Sequence, residues 1–137
     1  MIRKNKCKKS NITLNGMTLI ELLISVSIIT LLASFAYPSF NRYVCKGHRT
    51  QAMADMIRIQ LTMEQTYDNG YSWASIISGG TCSICDTDTE RYSFSITSNA
   101  GYTITATPKS DKGQNRDTCG TLTIQASGAS SPKECWH

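Results

Sequence analysis

One acidic residue stands alone in a long apolar stretch near the start of the chain. Glu21 is the only charged residue between Lys9 and Arg42, and almost every residue from Leu19 to Phe40 is apolar or carries a small hydroxyl. An ionised carboxylate in a stretch of this kind is costly in a membrane unless a partner neutralises it. We therefore expect Glu21 to have a specific partner that is central to the function of the protein.

Two cysteines form the motif Cys82-Ser83-Ile84-Cys85, which occurs in redox sites, metal sites and short structural disulfides. The motif lies in a predicted loop after a long helix, without the helix N-terminus that lowers the pKa of a redox thiol. A zinc site would need two further ligands, and His48 and His137 are far apart in the sequence. We prefer a structural disulfide between Cys82 and Cys85, with other pairings left open.

The rest of the sequence gives no indication of catalysis. It contains no Gly-rich phosphate loop, no paired carboxylate site and no Ser/His/Asp arrangement. We therefore predict that the protein is not an enzyme and has no cofactor or metal. His48 is expected to be solvated or to face another subunit, and Trp136 to anchor the tail on the core.

The basic character of the chain comes from its first residues. Lys and Arg total 14 against 10 Asp and Glu, and five of these cations precede Gly16. Without those five, nine cations face ten acids, a formal charge of −1, which gives no support for a general nucleic-acid surface. A group of cations near the C-terminus is interleaved with acids and is interpreted as solvated surface: Lys109, Lys112, Arg116 and Lys133 with Asp111, Asp117 and Glu134.

The first half of the chain predicts one long helix. Met17 to Tyr37 is 21 residues, about 31 Å of helix, which matches a hydrocarbon core of about 30 Å. The basic residues before it should hold the N-terminus in the cytoplasm and send the remainder across the membrane. An oxidising compartment on the far side suits the cysteines. Pro38 should bend or loosen this helix.

Beyond Pro38 the helix is predicted to be amphipathic and to stop at Asn69-Gly70. Met53 and Ile57 widen an apolar stripe with helical spacing, which consists of Ala52, Met56, Ile59, Met63 and Tyr67. The opposite side is expected to hold Asp55, Arg58, Thr62 and Gln65.

A small head should follow a polar connector at residues 71–90. Alternating apolar residues predict strands at 92–97, 102–107 and 119–124, with a turn at 98–101 and Pro108 ending the second strand. Short connections between three strands favour an antiparallel meander that packs on the amphipathic helix. The predicted fold class is α+β.

The N-terminal pattern is specific. The basic leader, Gly16, Met17, Thr18-Leu19-Ile20, Glu21 and the apolar helix resemble the prepilin signal of type IV pilins and related pseudopilins. The resemblance implies that a membrane peptidase cuts between Gly16 and Met17 and that Met17 is N-methylated, although phenylalanine is commoner there. Cleavage would create an ammonium that Glu21 of the same or a neighbouring subunit can pair with. Pro38 matches the proline that marks a curved or melted section in pilins; a second, later proline is absent.

The head resembles that of PilE-like minor pilins. The pattern consists of Arg91-Tyr92-Ser93-Phe94, Tyr102, Asp117 to Thr123, Gly128 and Cys135-Trp136. The resemblance implies a disulfide between Cys119 and Cys135 that closes a C-terminal loop. Cys7 would leave with the leader. Cys45 is then the odd cysteine, which is free, modified or paired with another subunit.

Four segments follow from these patterns: a leader (1–16), an apolar membrane and filament-core helix (17–40), an amphipathic half-helix (41–69) and a globular head (70–137). The resemblance implies a minor type IV pilus subunit that takes part in assembly and serves motility, adhesion or transformation. The expected partners are other pilins, the prepilin peptidase and the inner-membrane assembly machinery. The chain would lie in the inner membrane with its head in the periplasm, and later in the pilus.

Three alternatives belong to the same superfamily. A major pilin would differ in abundance. A type II secretion pseudopilin would often have bound calcium in place of a disulfide-bounded loop, so Cys119 and Cys135 weigh against it. A DNA-uptake pilin would bind DNA directly, with Lys109, Lys112 and Lys133 as the residues to neutralise.

Overall fold

The structure is a computed structural model that describes residues 16–98 and 101–136. The predicted leader up to residue 15, Cys7, the centre of the 98–101 turn and His137 lie outside the described residues. The chain divides into two compact units between Tyr37 and Pro38.

One α-helix, α1, spans Leu19–Gln65 and includes Pro38. Thr18 precedes the helix, and its hydroxyl accepts a hydrogen bond from the backbone N–H of Glu21 at 3.3 Å, an N-cap contact. The helix ends at Gln65, shortly before the predicted stop at Asn69-Gly70, and Asn69 adopts a left-handed backbone with φ 54°. The N-terminal part of α1 is long and apolar enough to cross a membrane.

Within the described residues, the head contains two antiparallel sheets. A two-stranded hairpin pairs β1 (Ile77–Ser78) with β2 (Thr81–Cys82). A four-stranded meander follows in chain order: β3 (Tyr92–Thr97), β4 (Thr103–Pro108), β5 (Leu122–Gln125) and β6 (Ser130–Ser131). Short 3₁₀ helices occupy Gln114–Arg116 and Lys133–Cys135. The predicted α+β fold with an antiparallel meander is confirmed.

The prediction of about three strands was too simple. It missed β6 and the β1–β2 hairpin, because two-residue strands are too short to show alternation. The third predicted strand also begins three residues late, at Leu122. Gly120 has a left-handed backbone with φ 57°, which interrupts extended structure before the strand.

The core lies between the second half of α1 and the inner face of the meander. Ile57 and Tyr67, which were predicted to belong to the apolar stripe, are 53% and 55% exposed. Tyr67 lies beyond the end of the helix, where its ring is 4.8 Å from that of Tyr71. Ile57 is one residue from buried Met56, a step of 100° around a helix. The buried apolar residues are Ala52, Met56, Ile59, Met63, Ile76, Tyr92, Phe94, Tyr102, Ile104, Ala106, Leu122 and Ile124.

The prediction that Asp55 lies on the polar side of the helix was wrong, because Asp55 is completely buried. Its Oδ2 accepts hydrogen bonds from the backbone N–H groups of Asp86 (3.1 Å) and Thr87 (2.8 Å) and from the hydroxyl of Thr87. The guanidinium of Arg58 lies 3.6 Å from the other carboxylate oxygen. Asp55 therefore fastens the end of the connector to the helix, immediately after Cys85.

We expect Asp55→Ala to lower the free energy of unfolding by about 3 kcal/mol, because two backbone N–H groups and a hydroxyl would lose their buried acceptor. The measurement is denaturant unfolding of the full chain in detergent, followed by the fluorescence of Trp73 and Trp136. Asp111→Ala removes an exposed acid and should change stability by no more than about 0.5 kcal/mol. Equal stability of the two variants would contradict the fastening role.

Candidate functional site

The segment around the predicted cleavage position is exposed. Gly16, Met17 and Thr18 precede the helix and are open to solvent. A Cβ atom added to Gly16 would meet no atom of the described residues within 4 Å, so packing against that part of the chain does not require glycine at this position. Glu21 lies in the first turn of α1 and is also exposed. The structure thus presents Gly16, Met17 and Glu21 on one accessible stretch of chain.

The apolar part of α1 leaves its large side chains uncovered within the described unit. Each is at least 51% exposed. Apolar surface of this extent is characteristic of segments that are covered by lipid or by other proteins. The residues are Leu19, Ile20, Leu22, Leu23, Ile24, Val26, Ile28, Ile29, Leu31, Leu32, Phe35 and Tyr37.

The serine and threonine hydroxyls between Leu19 and Tyr37 are satisfied by the helix itself. Each donates to a backbone carbonyl three or four residues earlier, at 2.7–2.8 Å. Such bonds remove the cost of placing a hydroxyl in apolar surroundings. The donors are Ser25, Ser27, Thr30 and Ser34. Glu21 is therefore the one charged group for which the segment needs an outside partner.

Two disulfides close loops in the head. Cys119 is bonded to Cys135, which bounds the C-terminal loop as expected from the resemblance, and Cys82 is bonded to Cys85. The thiol of Cys45 is unpaired among the described residues and donates to the backbone carbonyl of Gly113 at 3.8 Å. No group of three His, Cys, Asp or Glu side chains that could hold a metal ion occurs in residues 16–98 and 101–136.

The segment between β4 and β5, residues 109–121, is anchored to the helix by buried polar contacts. The amide nitrogen of Gln114, a buried residue, donates to the Cys45 carbonyl at 2.9 Å and to the Tyr92 hydroxyl at 3.1 Å. Arg49 pairs with Asp117 at 2.8 Å, with both side chains largely buried. Burial raises the pKa of Tyr92 to about 12, so its hydroxyl stays protonated. These contacts fix the backbone that carries Lys109 and Arg116.

The cations of the predicted surface group divide into two classes. Lys112 lies 2.8 Å from Asp88 and 2.7 Å from Glu90, and its hydrogen bond to Asp88 raises its pKa above the usual value. Lys109, Arg116 and Lys133 form no ion pair within the described part of the chain. The grouping of Lys112 with Lys109 and Lys133 therefore does not hold, because local acids neutralise Lys112. We call Lys109, Arg116 and Lys133 the unpaired cations.

His48 lines an open groove between the helix and the end of the connector. Phe40, Tyr43 and Val44 contribute its apolar wall, and Asp86 and Asp88 its acidic side. Burial lowers the pKa of His48, and the charge of Arg91 acts in the same direction while that of Asp88 opposes it. The imidazole is therefore largely neutral at pH 7.

Asp55 stabilises the fold but was predicted on the polar side of the helix, although it is buried. A signal was available, because Asp55 follows Ala52 by three residues and precedes Ile59 by four, which places it on the apolar stripe. An acid on such a stripe is buried only when polar groups converge on it. The residues that do so, Asp86 and Thr87, are about thirty positions away in the sequence.

Two family models match the chain. The first, described as "Type IV minor pilin ComP, DNA uptake sequence receptor", matches residues 38–123. The second, the prokaryotic N-terminal methylation motif, matches residues 15–37. Together they cover the apolar helix and most of the head.

Curated relatives match over a shorter stretch. A type IV major fimbrial protein, FimA of Dichelobacter nodosus, is 42% identical over 48 residues, which are 34% of this chain and 30% of FimA. A fimbrial protein of the same organism is 40% identical over 48 residues, with the same coverage. The match thus spans less than a third of the length of these relatives.

A solved type IV pilin from Shewanella oneidensis shares the fold. The TM-score is 0.54 at 24% identity, and the match covers 68% of this chain and 98% of the pilin. The methylation motif and the apolar helix place the chain in a membrane before assembly and on the pilus surface afterwards. With a family model matched over residues 38–123, the chain belongs to the ComP family of type IV minor pilins.

Proposed function

We propose that the protein is a structural subunit of a type IV pilus and that its head takes part in DNA uptake. The observation that carries the structural role is the exposed apolar half of α1, in which the serine and threonine hydroxyls from Ser25 to Ser34 are already bonded to the backbone. Such a segment suits both lipid and a bundle of identical helices. Family membership supports the same role, since pilins are structural proteins.

In this proposal the prepilin peptidase removes residues 1–16, and the new amine of Met17 is methylated. The inner-membrane machinery then transfers the subunit from the membrane, where its head faces the periplasm, into the filament. Residues 17–40 form the filament core, 41–69 support the head, and 70–137 face outward. Glu21 meets the Met17 amine of a neighbouring subunit and sets the axial register.

DNA enters the proposal through two observations. The matched family is described as a DNA uptake sequence receptor. The net charge of the mature chain gave no support for DNA binding. The structure nevertheless distinguishes cations that pair with acids from cations that do not. Lys112 is occupied by Asp88 and Glu90, whereas the unpaired cations remain available to phosphate groups. We propose that Lys109, Arg116 and Lys133 contact the DNA backbone.

We expect the triple variant Lys109→Gln/Arg116→Gln/Lys133→Gln to reduce DNA uptake by about tenfold or more, because each phosphate contact adds a salt-dependent contribution to affinity. Uptake is measured as transformation frequency, and the subunit is quantified in sheared pili by immunoblot. The variant should be recovered in pili at the wild-type level, because these cations make no ion pair within the described part of the head.

Lys112→Gln is the control, since it removes a cation that local acids already neutralise, and uptake should stay within about twofold of wild type. Wild-type uptake by the triple variant would contradict the DNA role. Absence of the wild-type protein from sheared pili would contradict the structural role.

A further inference from the structure

The outer face of the four-stranded meander consists of uncharged polar side chains. Side chains alternate along a strand, so the residues that alternate with the core positions of β3, β4 and β5 lie on the side away from α1. Ser131 of β6 lies on the same side, because it pairs with Thr123. Eight of these side chains carry a hydroxyl and one an amide. We call this set the hydroxyl face: Ser93, Ser95, Thr97, Thr103, Thr105, Thr107, Thr123, Gln125 and Ser131.

The strand register arranges this face in rows. Ser95 pairs with Thr105, Thr105 with Thr123, and Thr123 with Ser131, so one row crosses all four strands. On one side of it lies the row Thr97, Thr103 and Gln125, and on the other side the pair Ser93 and Thr107. Neighbouring strands are about 4.8 Å apart. The hydroxyls therefore form a closely spaced array.

The hydroxyls of this array are not used within the head. None of the nine side chains has a hydrogen-bond partner among residues 16–98 and 101–136. The side chains of Gln60 and Trp136 donate to the backbone carbonyls of Gln125 and Ser131, not to their side chains. The hydroxyls of Thr50 and Thr62 on the helix differ, because they donate to the backbone carbonyls of Lys46 and Arg58. The face thus offers a set of donors to an external acceptor.

The charges on and beside the hydroxyl face indicate that the external acceptor is an anion. The face contains no carboxylate, and Lys109 and Lys133 follow Thr107 and Ser131 by two residues, at the same end of the sheet. Ser and Thr hydroxyls and Lys are common donors to phosphate oxygens. The face also lacks the aromatic side chains on which unstacked bases of a single strand bind.

We propose that the hydroxyl face binds the phosphodiester backbone of double-stranded DNA, with Lys109 and Lys133 holding phosphates at one end. This inference rests on the DNA role proposed above and extends it from three cations to the whole outer surface of the meander. Neutral hydroxyls add hydrogen bonds without releasing counterions. Their contribution should therefore be insensitive to salt.

The test is the double variant Thr105→Val/Thr123→Val. Valine keeps the shape and the strand preference of threonine while removing the hydroxyl. The full chain in detergent is titrated with a fluorescein-labelled DNA duplex, and anisotropy gives the affinity at several salt concentrations. We expect about tenfold weaker binding with an unchanged salt slope. Thr50→Val/Thr62→Val removes two hydroxyls from the helix and should bind like wild type.

Each other outcome has a distinct meaning. Wild-type affinity of Thr105→Val/Thr123→Val would overturn the role of the hydroxyl face and leave the DNA role of the unpaired cations intact. Undetectable binding by the wild-type chain would overturn both. Normal DNA binding by the variant with loss from sheared pili would show that the face contacts another subunit, which would also overturn this inference. A matching thermal unfolding midpoint shows that the variant is folded.

Discussion

Replacing Gly16 by leucine should leave the chain as an unprocessed precursor in the membrane, with less than about one molecule in a hundred cleaved. A Cβ at this position would touch nothing among residues 16–98 and 101–136, so we expect the effect to come from recognition by the peptidase. Processing is measured by the mobility shift that accompanies loss of the leader. Mass spectrometry of the wild-type chain should find a methylated amine on Met17.

The control for this experiment is Gly70→Leu. Gly70 also has open space around it and no left-handed backbone, and it lies far from the predicted cleavage position. We expect Gly70→Leu to be processed like wild type. If Gly16→Leu were cleaved normally, the assignment of residues 1–16 as a prepilin leader would be wrong.

Replacing Glu21 by alanine should permit processing but reduce recovery in sheared pili by more than tenfold. The substitution would leave the amine of a neighbouring subunit unpaired in an apolar core, at a cost of several kcal/mol. A loss of about 1.4 kcal/mol already corresponds to tenfold. Immunoblots of the membrane and pilus fractions give both quantities. Glu21→Asp keeps the charge and should recover part of the incorporation.

Glu134→Ala is the matched control, because it removes an exposed acid from the C-terminal loop of the head. It should enter pili at the wild-type level. Normal incorporation of Glu21→Ala would refute the idea that this carboxylate sets the register. Failure of Glu21→Ala to be processed would instead assign Glu21 to recognition by the peptidase.

Local patterns sufficed for the helix and most of the meander. The burial of Ala52, Met56, Ile59 and Met63 followed from spacing alone, because an amphipathic helix buries one face wherever it packs. The strands at Tyr92–Thr97 and Thr103–Pro108 followed from alternation. These features depend on neighbours within a few residues.

Long-range contacts could not be predicted in the same way. Arg49 and Asp117 form an ion pair although they are 68 residues apart in the sequence, and Lys112 pairs with Asp88, which is 24 residues away. No periodicity links such positions, so the sequence did not separate Lys112 from the unpaired cations. The spacing of Asp55 did place it on the apolar stripe, but the partners that make its burial possible, Asp86 and Thr87, belong to a distant loop. The pairing of Cys119 with Cys135 came from family resemblance, which carries long-range information that spacing lacks.

The internally bonded hydroxyls of α1 bear on the energetics of moving a subunit. Ser25 and Ser34 already donate their hydroxyl hydrogens to backbone carbonyls of the same helix, so these donors need no further acceptor in lipid or in a filament. Replacing lipid chains by neighbouring helices therefore leaves their solvation almost unchanged. In the proposed function, the Glu21 carboxylate and the Met17 amine are then the groups whose solvation and pairing change most between the two environments. Subunits of this kind can enter and leave a filament repeatedly without breaking the hydrogen bonds between their helix hydroxyls and backbone carbonyls.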